Sequence, residues 1–364
     1  REIGAKGGIQ HPYQFGYNSL DLPPYNSRRL DHWGFYNGKN FFTDIGLPDY
    51  FISRNSDTTL MKRGLLTSIK YPTGGKSTFI YEAHAFSKIA KRFPFTVTDT
   101  TGKCGGVRIR KIENRDMADS LLTSKEYFYV RNFQSGSTVS SGIISDNPLY
   151  ENIGSFLLSG LTLTYTYMSA FSIDPLNFTN GNHVTYSEVV EKLADGSYTI
   201  YKYSNHDDGS YRDELGVPPG LYMTPNEWKL DPSTSRALER GKLLLKSVYN
   251  TSNTLLQRTK YDYDTSAARY AEKVRTVSLA SLWFITDEPP ILLREVRGIG
   301  YYEYVFPQFL IKQTDTVWNQ SGAKPLVTTT HYRYNDYRLP SFDSTLTSVK
   351  DTVMLWRWNT YKYP

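Results

Sequence analysis

The stretch Val189-Val190-Glu191-Lys192-Leu193-Ala194-Asp195-Gly196-Ser197-Tyr198-Thr199-Ile200-Tyr201-Lys202-Tyr203 decides the fold. Val189 to Leu193 and Ser197 to Tyr203 are short runs rich in β-branched and aromatic side chains, which fit a pleated surface. Asp195-Gly196 between them favours the positive φ of a tight hairpin turn. Along the second arm Tyr201 and Tyr203 fall on one face, Ile200 and Lys202 on the other. The segment therefore predicts a β-hairpin that closes on a tyrosine pair.

The same signature recurs along the chain. Tyr-x-Tyr appears at Tyr127/Tyr129, Tyr165/Tyr167, Tyr261/Tyr263, Tyr332/Tyr334 and Tyr361/Tyr363, and each is expected to close a strand. Leu66-Thr67-Ser68-Ile69-Lys70 returns as Leu346-Thr347-Ser348-Val349-Lys350, and more loosely as Leu245-Lys246-Ser247-Val248. A unit opens on Gly and an apolar strand, turns, and returns to the tyrosines. Gly241 to Asp264 is one, turning at Asn250 to Asn253. Phe309 to Asn335 is another, turning at Asn319 to Gly322. Tyr71-Pro72-Thr73-Gly74-Gly75 turns between Leu65 to Lys70 and Ser77 to Tyr81. Gly102-Lys103-Cys104-Gly105-Gly106 reads as a further turn before a strand. Helix is expected only at Ser266 to Val274 and around Ser233 to Arg240, and Asp207 to Arg240 reads mostly as loop.

Composition agrees. The chain has 364 residues, 39% hydrophobic and 15% aromatic, with 30 Tyr, enough to bury a core and too much for a disordered chain. Its net charge of +6 is spread along the strands, which does not call for a nucleic-acid partner. One cysteine excludes a disulfide framework and a multi-cysteine metal site. No apolar run approaches the roughly 20 residues of a membrane helix, so no membrane-spanning segment is expected. The start at Arg1 and the strand-like end suggest a section of a longer protein. Residues 1–60, rich in Gly, Pro, Asn and aromatics, are expected to form a loop-rich segment packed on a β body spanning 61–364, a region of degenerate hairpin repeats.

The order of Asp31-His32-Trp33-Gly34-Phe35-Tyr36-Asn37-Gly38, Gly64-Leu65-Leu66, Ile69-Lys70-Tyr71-Pro72-Thr73-Gly74-Gly75, Phe79-Ile80-Tyr81-Glu82 and Gly105-Gly106-Val107-Arg108-Ile109 resembles the RHS or YD-repeat-like large surface and secreted proteins of Bacteroidetes. The strict tyrosine-aspartate repeat survives mainly as Tyr261-Asp262-Tyr263-Asp264. The resemblance implies a β-strand spiral, sometimes a hollow shell, with a variable effector domain at the C-terminal end. It also implies O-glycosylation where Asp precedes Ser or Thr and then an apolar residue or Thr, which nominates Thr58, Thr100, Ser120, Thr316, Ser344 and Thr352.

Other patterns carry less chemistry. Gly74-Gly75-Lys76-Ser77-Thr78 echoes a phosphate loop but lacks its earlier Gly and lies between strands, so a hairpin turn is preferred. Cys104 needs an oriented base to act as a nucleophile, and His84 is the nearest histidine in sequence; a structural cysteine is preferred. Ser204-Asn205-His206-Asp207-Asp208-Gly209-Ser210 offers oxygens to calcium, against a polar turn. The pairs Glu188/Glu191 and Asp262/Asp264 nominate no acid and base, the second lying on one strand face. Trp33, Tyr36, Trp356 and Trp358 stand outside the tyrosine pattern and are the candidate ligand-binding aromatics.

The expectation is an all-β, irregular antiparallel scaffold with little helix, RHS-like in kind, exported or surface-anchored and without catalysis or cofactor. Its partners would be other parts of the same large protein or an outer-membrane secretion or surface complex. The alternative is an adhesin or glycan-binding module.

Overall fold

The tyrosine pairs 201/203, 261/263 and 332/334 close strands of one large antiparallel sheet in a computed structural model, which describes residues 12–40, 47–92, 95–158, 161–176, 179–216, 233–285, 292–305, 308–319, 325–348 and 354–363. The chain enters through β1 (Gln14–Tyr17), a short helix α1 (Leu47–Ser53) and β2 (Leu66–Lys70). Two long strands follow, β3 (Lys76–Lys91) and β4 (Thr96–Arg115), then β5 (Leu121–Phe128) and β6 (Gly142–Ser145). A separate ribbon, β7 (Glu151–Leu158) with β8 (Leu161–Met168), precedes β9 (Val184–Tyr186), β10 (Glu188–Leu193) and β11 (Tyr198–Tyr203). After β12 (Leu243–Tyr249), β13 (Leu255–Tyr263) and helix α2 (Ala267–Ala271), a second ribbon forms from β14 (Lys273–Ile285) and β15 (Leu292–Tyr304). The chain closes with β16 (Leu310–Val317), β17 (Leu326–Tyr334), β18 (Pro340–Ser348) and β19 (Met354–Thr360).

Fifteen strands form one sheet, ordered β1-β2-β3-β4-β5-β10-β11-β12-β13-β16-β17-β18-β19, with β6 beside β3 and β9 beside β6. Near neighbours in sequence are neighbours in space, so short turns suffice. Several turns share one chemistry. In Asp116 to Ser120, Asn250 to Thr254 and Asn335 to Leu339 the first residue's N–H donates to the last residue's carbonyl. In each, the first side-chain oxygen accepts two further N–H groups, and the fourth residue (Asp119, Asn253 or Arg338) has positive φ. An Asx side chain thus stands in for backbone partners and holds the loop shut. The expected turn at Asp195-Gly196 follows the same backbone path, with Gly196 at φ +92°, as does Tyr71 to Gly75 with Gly74 at +91°.

The core lies in two patches. Val190, Tyr198, Ile200 and Tyr249 pack with Phe128, Phe133 and Leu255, on the face that alternation assigned to Ile200. Phe86, Ile89, Cys104, Ile144 and Val184 pack with Trp33 and Tyr186. Each fully buried aliphatic side chain contributes about 1.5–3 kcal/mol.

The structure corrects five expectations. Gly102 to Gly106 is not a turn but the interior of β4, where Gly106 at φ +84° and shifted pairing between Ala83 and His84 mark bulges. Glycine inside a strand bends the ladder as readily as it ends one. Tyr361/Tyr363 follow the end of β19 rather than closing it within the strand, whereas Tyr165 and Tyr167 do close a strand, β8, in a ribbon outside the main sheet. The helix at Ser266 to Val274 shrinks to α2, and that near Ser233 to Arg240 to a single 3-10 turn, Ala237–Glu239. Asp264 lies past the end of β13, where its carboxylate accepts the N–H of Ser266, so Asp262 and Asp264 do not share a strand face. Residues 12–17 are also less loop-like than composition suggests, because β1 pairs with β2.

Candidate functional site

The Asp31-His32-Trp33-Gly34-Phe35 motif adopts the Asx turn of the hairpins. Asp31 N–H donates to Phe35 O (2.7 Å), Gly34 has φ +89°, and Asp31 Oδ1 accepts the N–H groups of Trp33 and Phe35. Here, however, the aspartate is fully buried. Its second oxygen accepts the Ser56 hydroxyl at 2.6 Å, and an added Cβ on Gly105 would strike it. The turn is thereby pressed onto the bulge of β4. Burial raises the Asp31 pKa, with the Ser56, Phe35 and Trp33 hydrogen bonds opposing.

Around this turn lies a buried network of rings. His32 Nδ1 meets the Tyr150 hydroxyl at 2.7 Å, and Arg54 sits over the Tyr150 ring at 5.3 Å while donating to Asp31 O. His183 Nε2 donates to Gly105 O at 2.8 Å, a carbonyl partner that requires the proton on that nitrogen. His84 stands directly across β3 and β4 from Cys104, so the histidine nearest in sequence is also near in space. Its Nδ1 pairs with the Tyr186 hydroxyl at 2.8 Å. Arg108 lies over Tyr129 at 4.1 Å and Tyr186 at 4.9 Å and donates to Glu82 at 2.7 Å. Burial holds His32 and His84 down to about 4 and pushes the Cys104 thiol up to about 12. Cys104 is therefore a neutral thiol beside a neutral imidazole, without the thiolate that nucleophilic work needs.

Trp33 and Tyr36 belong to this region. Trp33 packs on the core and faces His183 at 5.8 Å between ring centres, and Arg63 covers Tyr36 at 5.1 Å. A cleft of about 530 Å³ opens beside Trp33, His32, Arg54, Phe171, Asp174 and His183. Trp356 and Trp358 are elsewhere, on β19 at the end of the strand order. The structure thus brings the four candidate aromatics together in two pairs, not one site. Trp358 is 66% exposed and borders a groove of about 930 Å³ with Asp262, Lys312, His331, Phe342 and Ser344. Register explains the grouping: Asp262, Lys312, His331, Ser344 and Trp358 are cross-strand partners in one row. Asp262 pairs with Lys260 at 2.8 Å, and Arg333 lies over Phe342 at 5.5 Å.

The remaining motifs engage in hydrogen bonds and ion pairs within the chain. Ser77 hydroxyl, in the echo of a phosphate loop, donates to Asn114. In the loop from Ser204 to Ser210, Asn205 Oδ1 accepts Thr185 Oγ1 and His206 N, Asp207 pairs with Arg131 at 2.8 Å, and Asp208 accepts the N–H of Ser210. Among the described residues no group of three His, Cys, Asp or Glu side chains is placed to hold a metal. Glu188 and Glu191, odd-spaced on β10, lie on opposite faces and pair with Lys202 (3.6 Å) and Lys125 (3.1 Å). Of the glycosylation candidates, Thr100 and Ser120 are exposed; Thr58, Thr316 and Ser344 are half-buried, and Thr352 lies outside the described residues.

What sequence reading missed is the buried histidine network. Its signals were present, since His32 and Trp33 sit in the quoted motif and His84 faces the glycine bulge, but the register that joins them spans distant segments.

No protein-family profile matches the chain. No curated protein matches it either. Among solved structures, a chain of the crystal structure of TcdB2-TccC3-TEV matches at a TM-score of 0.33 and 11% identity, over 81% of this chain. This chain spans 13% of that one's length, and a likeness so low assigns it nothing. The protein class defined by the fold itself is an all-β antiparallel sheet. Among the described residues no helix is long and apolar enough to cross a membrane.

Proposed function

We propose that this chain is a non-catalytic structural β-repeat scaffold, RHS-like in kind, belonging to a large exported bacterial cell-surface or secreted protein. It would display or encase an effector domain of the same protein and meet other parts of that protein or an outer-membrane surface complex. The observation that carries this reading is where the distinctive side chains go. The second tyrosines of three pairs reach back to the preceding strand's carbonyls, Tyr263 to Leu243 (3.1 Å), Tyr334 to Leu310 (2.9 Å) and Tyr129 to Ile109 (2.7 Å). Chemistry that repeats with the architecture supports the array rather than one locus. Export would open the exposed Thr100 and Ser120 to glycosylation first. An antibody to this chain, applied to intact and lysed cells of the native source, tests the proposal. Labelling of intact cells and a parent band well above 41.8 kDa are expected; labelling only after lysis overturns export.

A second reading, a glycan-binding surface, is favoured by one observation: the exposed Trp358 ring beside the planar polar groups of Asp262 and His331 and the ammonium of Lys312. Aromatic faces flanked by such groups suit sugar rings. Binding on a glycan array that is lost in Trp358→Ala supports it, and no binding removes it.

A further inference from the structure

The strands β13, β16, β17, β18 and β19 are neighbours in the sheet, and their register deals the charged side chains unevenly between its two faces. One face carries Arg258, Lys260, Lys312 and Arg333 against a single carboxylate, Asp262. The opposite face carries Asp315 and Asp343 against Arg357 alone. Both of those carboxylates are engaged within the chain. Asp315 accepts the Thr259 hydroxyl at 2.6 Å and the Gln313 amide at 2.7 Å, and Asp343 accepts the Tyr361 hydroxyl at 2.6 Å and the Asn359 amide at 3.0 Å. The cationic face is open: Arg258, Lys260, His331, Arg333 and Trp358 are exposed on it, and it holds the groove of about 930 Å³ bordered by Trp358. Between the cations stand hydroxyls, those of Thr314, Thr316, Thr329 and Ser344.

We propose that this face binds an acidic polysaccharide, a sugar chain bearing carboxylates, laid across the strands from Asp262 and Lys312 toward Trp358. The proposal rests on the glycan reading of the Trp358 groove and names its ligand class. Lys312 and Arg333 take the carboxylates, Arg333 through a planar fork that lies over the Phe342 ring at 5.5 Å. Asp262, His331 and the hydroxyls bond the sugar hydroxyls, and the Trp358 ring stacks on a sugar face. From β13 to β19 the row crosses the sheet in steps of about 4.8 Å, roughly 19 Å in all, which suits an extended chain better than one ring. Other polyanions fit less well. A nucleic-acid strand asks for aromatic rings along the cationic groove, and here the exposed tryptophan stands at one end of the row. An anionic lipid surface asks for a dense cluster of Lys and Arg, and here a carboxylate and four hydroxyls stand among them.

Titration calorimetry of the full chain with polygalacturonate, neutral dextran, dextran sulfate and oligo(dT) tests it. Polygalacturonate is expected to bind, more weakly as salt rises, and at least about tenfold more tightly than dextran. Lys312→Gln combined with Arg333→Gln should cost about tenfold or more in affinity, because two charged contacts are lost. Lys312→Arg, which keeps the charge, and Arg357→Gln, on the opposite face, should bind as the wild-type chain does, and this separates lost contacts from lost folding. Dextran bound as tightly as polygalacturonate, with both lost in Trp358→Ala, overturns the acidic ligand and leaves the glycan reading standing. Binding of no sugar removes both. The proposal is also overturned if dextran sulfate or oligo(dT) binds in preference to polygalacturonate, or if Arg357→Gln weakens binding as much as the double variant.

Discussion

The Tyr334 hydroxyl donates to the carbonyl of Leu310, 2.9 Å away and at the start of the neighbouring strand. Tyr334 also sits on a bulge of β17 opposite Pro340. Tyr263 repeats the arrangement one hairpin earlier, bulged opposite Leu310 and bonded to Leu243 O at 3.1 Å. Tyr263 and Tyr334 therefore each tie together three strands, their own, the one before and the one after.

Removing such a tie should cost a measurable amount. Tyr263→Phe keeps the ring and loses only the hydroxyl, so a destabilisation of about 1 kcal/mol is expected. Urea unfolding should show a lower midpoint at unchanged slope. Combining it with Tyr334→Phe should depart from additivity by about 0.5 kcal/mol or more, since Leu310 is both the residue opposite Tyr263 and the acceptor of Tyr334. An unaltered midpoint for both variants would show that the hydroxyls hold nothing.

Acid should loosen the region around Trp33. Burial holds His32 and His84 near 4 and His206 near 3, against an ordinary 6.5. A histidine held neutral in the folded chain contributes stability that is complete above pH 6.5 and is lost as pH falls toward 4, because the unfolded chain takes up the proton first. Asp31 has the opposite sign. Its raised pKa means that the folded chain binds that proton first, so stability from this group rises as pH falls through its folded value toward 3.8. Three histidines outweigh one aspartate, and the thermal midpoint should fall between pH 6.5 and 4.5. His84→Gln, which can still bond Tyr186, should flatten that fall; an equally steep curve would remove His84 from the account.

Cys104 should resist alkylation. It is fully buried with its thiol pushed up to about 12. Iodoacetamide at pH 8 should modify it at least about a hundredfold more slowly in native buffer than in urea, because modification must await opening. Equal rates in the two conditions would mean that the β3–β4 bulge is open to solvent.

Two glycines should separate space from backbone angle. An added Cβ on Gly142 meets the backbone oxygen of Ala85, with the Tyr186 ring at 3.0 Å and Phe86 Cα at 3.1 Å. Backbone cannot yield as a flexible side chain does, so Gly142→Ala should cost about 3 kcal/mol. Gly136 has open space but φ +73°, and Gly136→Ala should cost only about 1–2 kcal/mol. Denaturant midpoints give both values, and a milder Gly142→Ala would contradict the close packing of β6 on β3.

By itself the sequence determined the local units. Alternation in Val189 to Tyr203, the Asp195-Gly196 and Asn250 to Asn253 turns and the tyrosine pairs specify hairpins, because strand period and turn chemistry act over a few residues. Only the tertiary structure decided what those units meet. Gly105-Gly106 reads locally as a turn and becomes a bulge because β3 pairs along its whole length. Asp31 reads as one more Asx turn and becomes a buried anchor because Gly105, 74 residues later, leaves room for it. Trp33 and Trp358 look alike in sequence, yet one packs on the core and the other stands in solvent. Burial is a property of the neighbours that distant segments supply, and no window of the chain contains them.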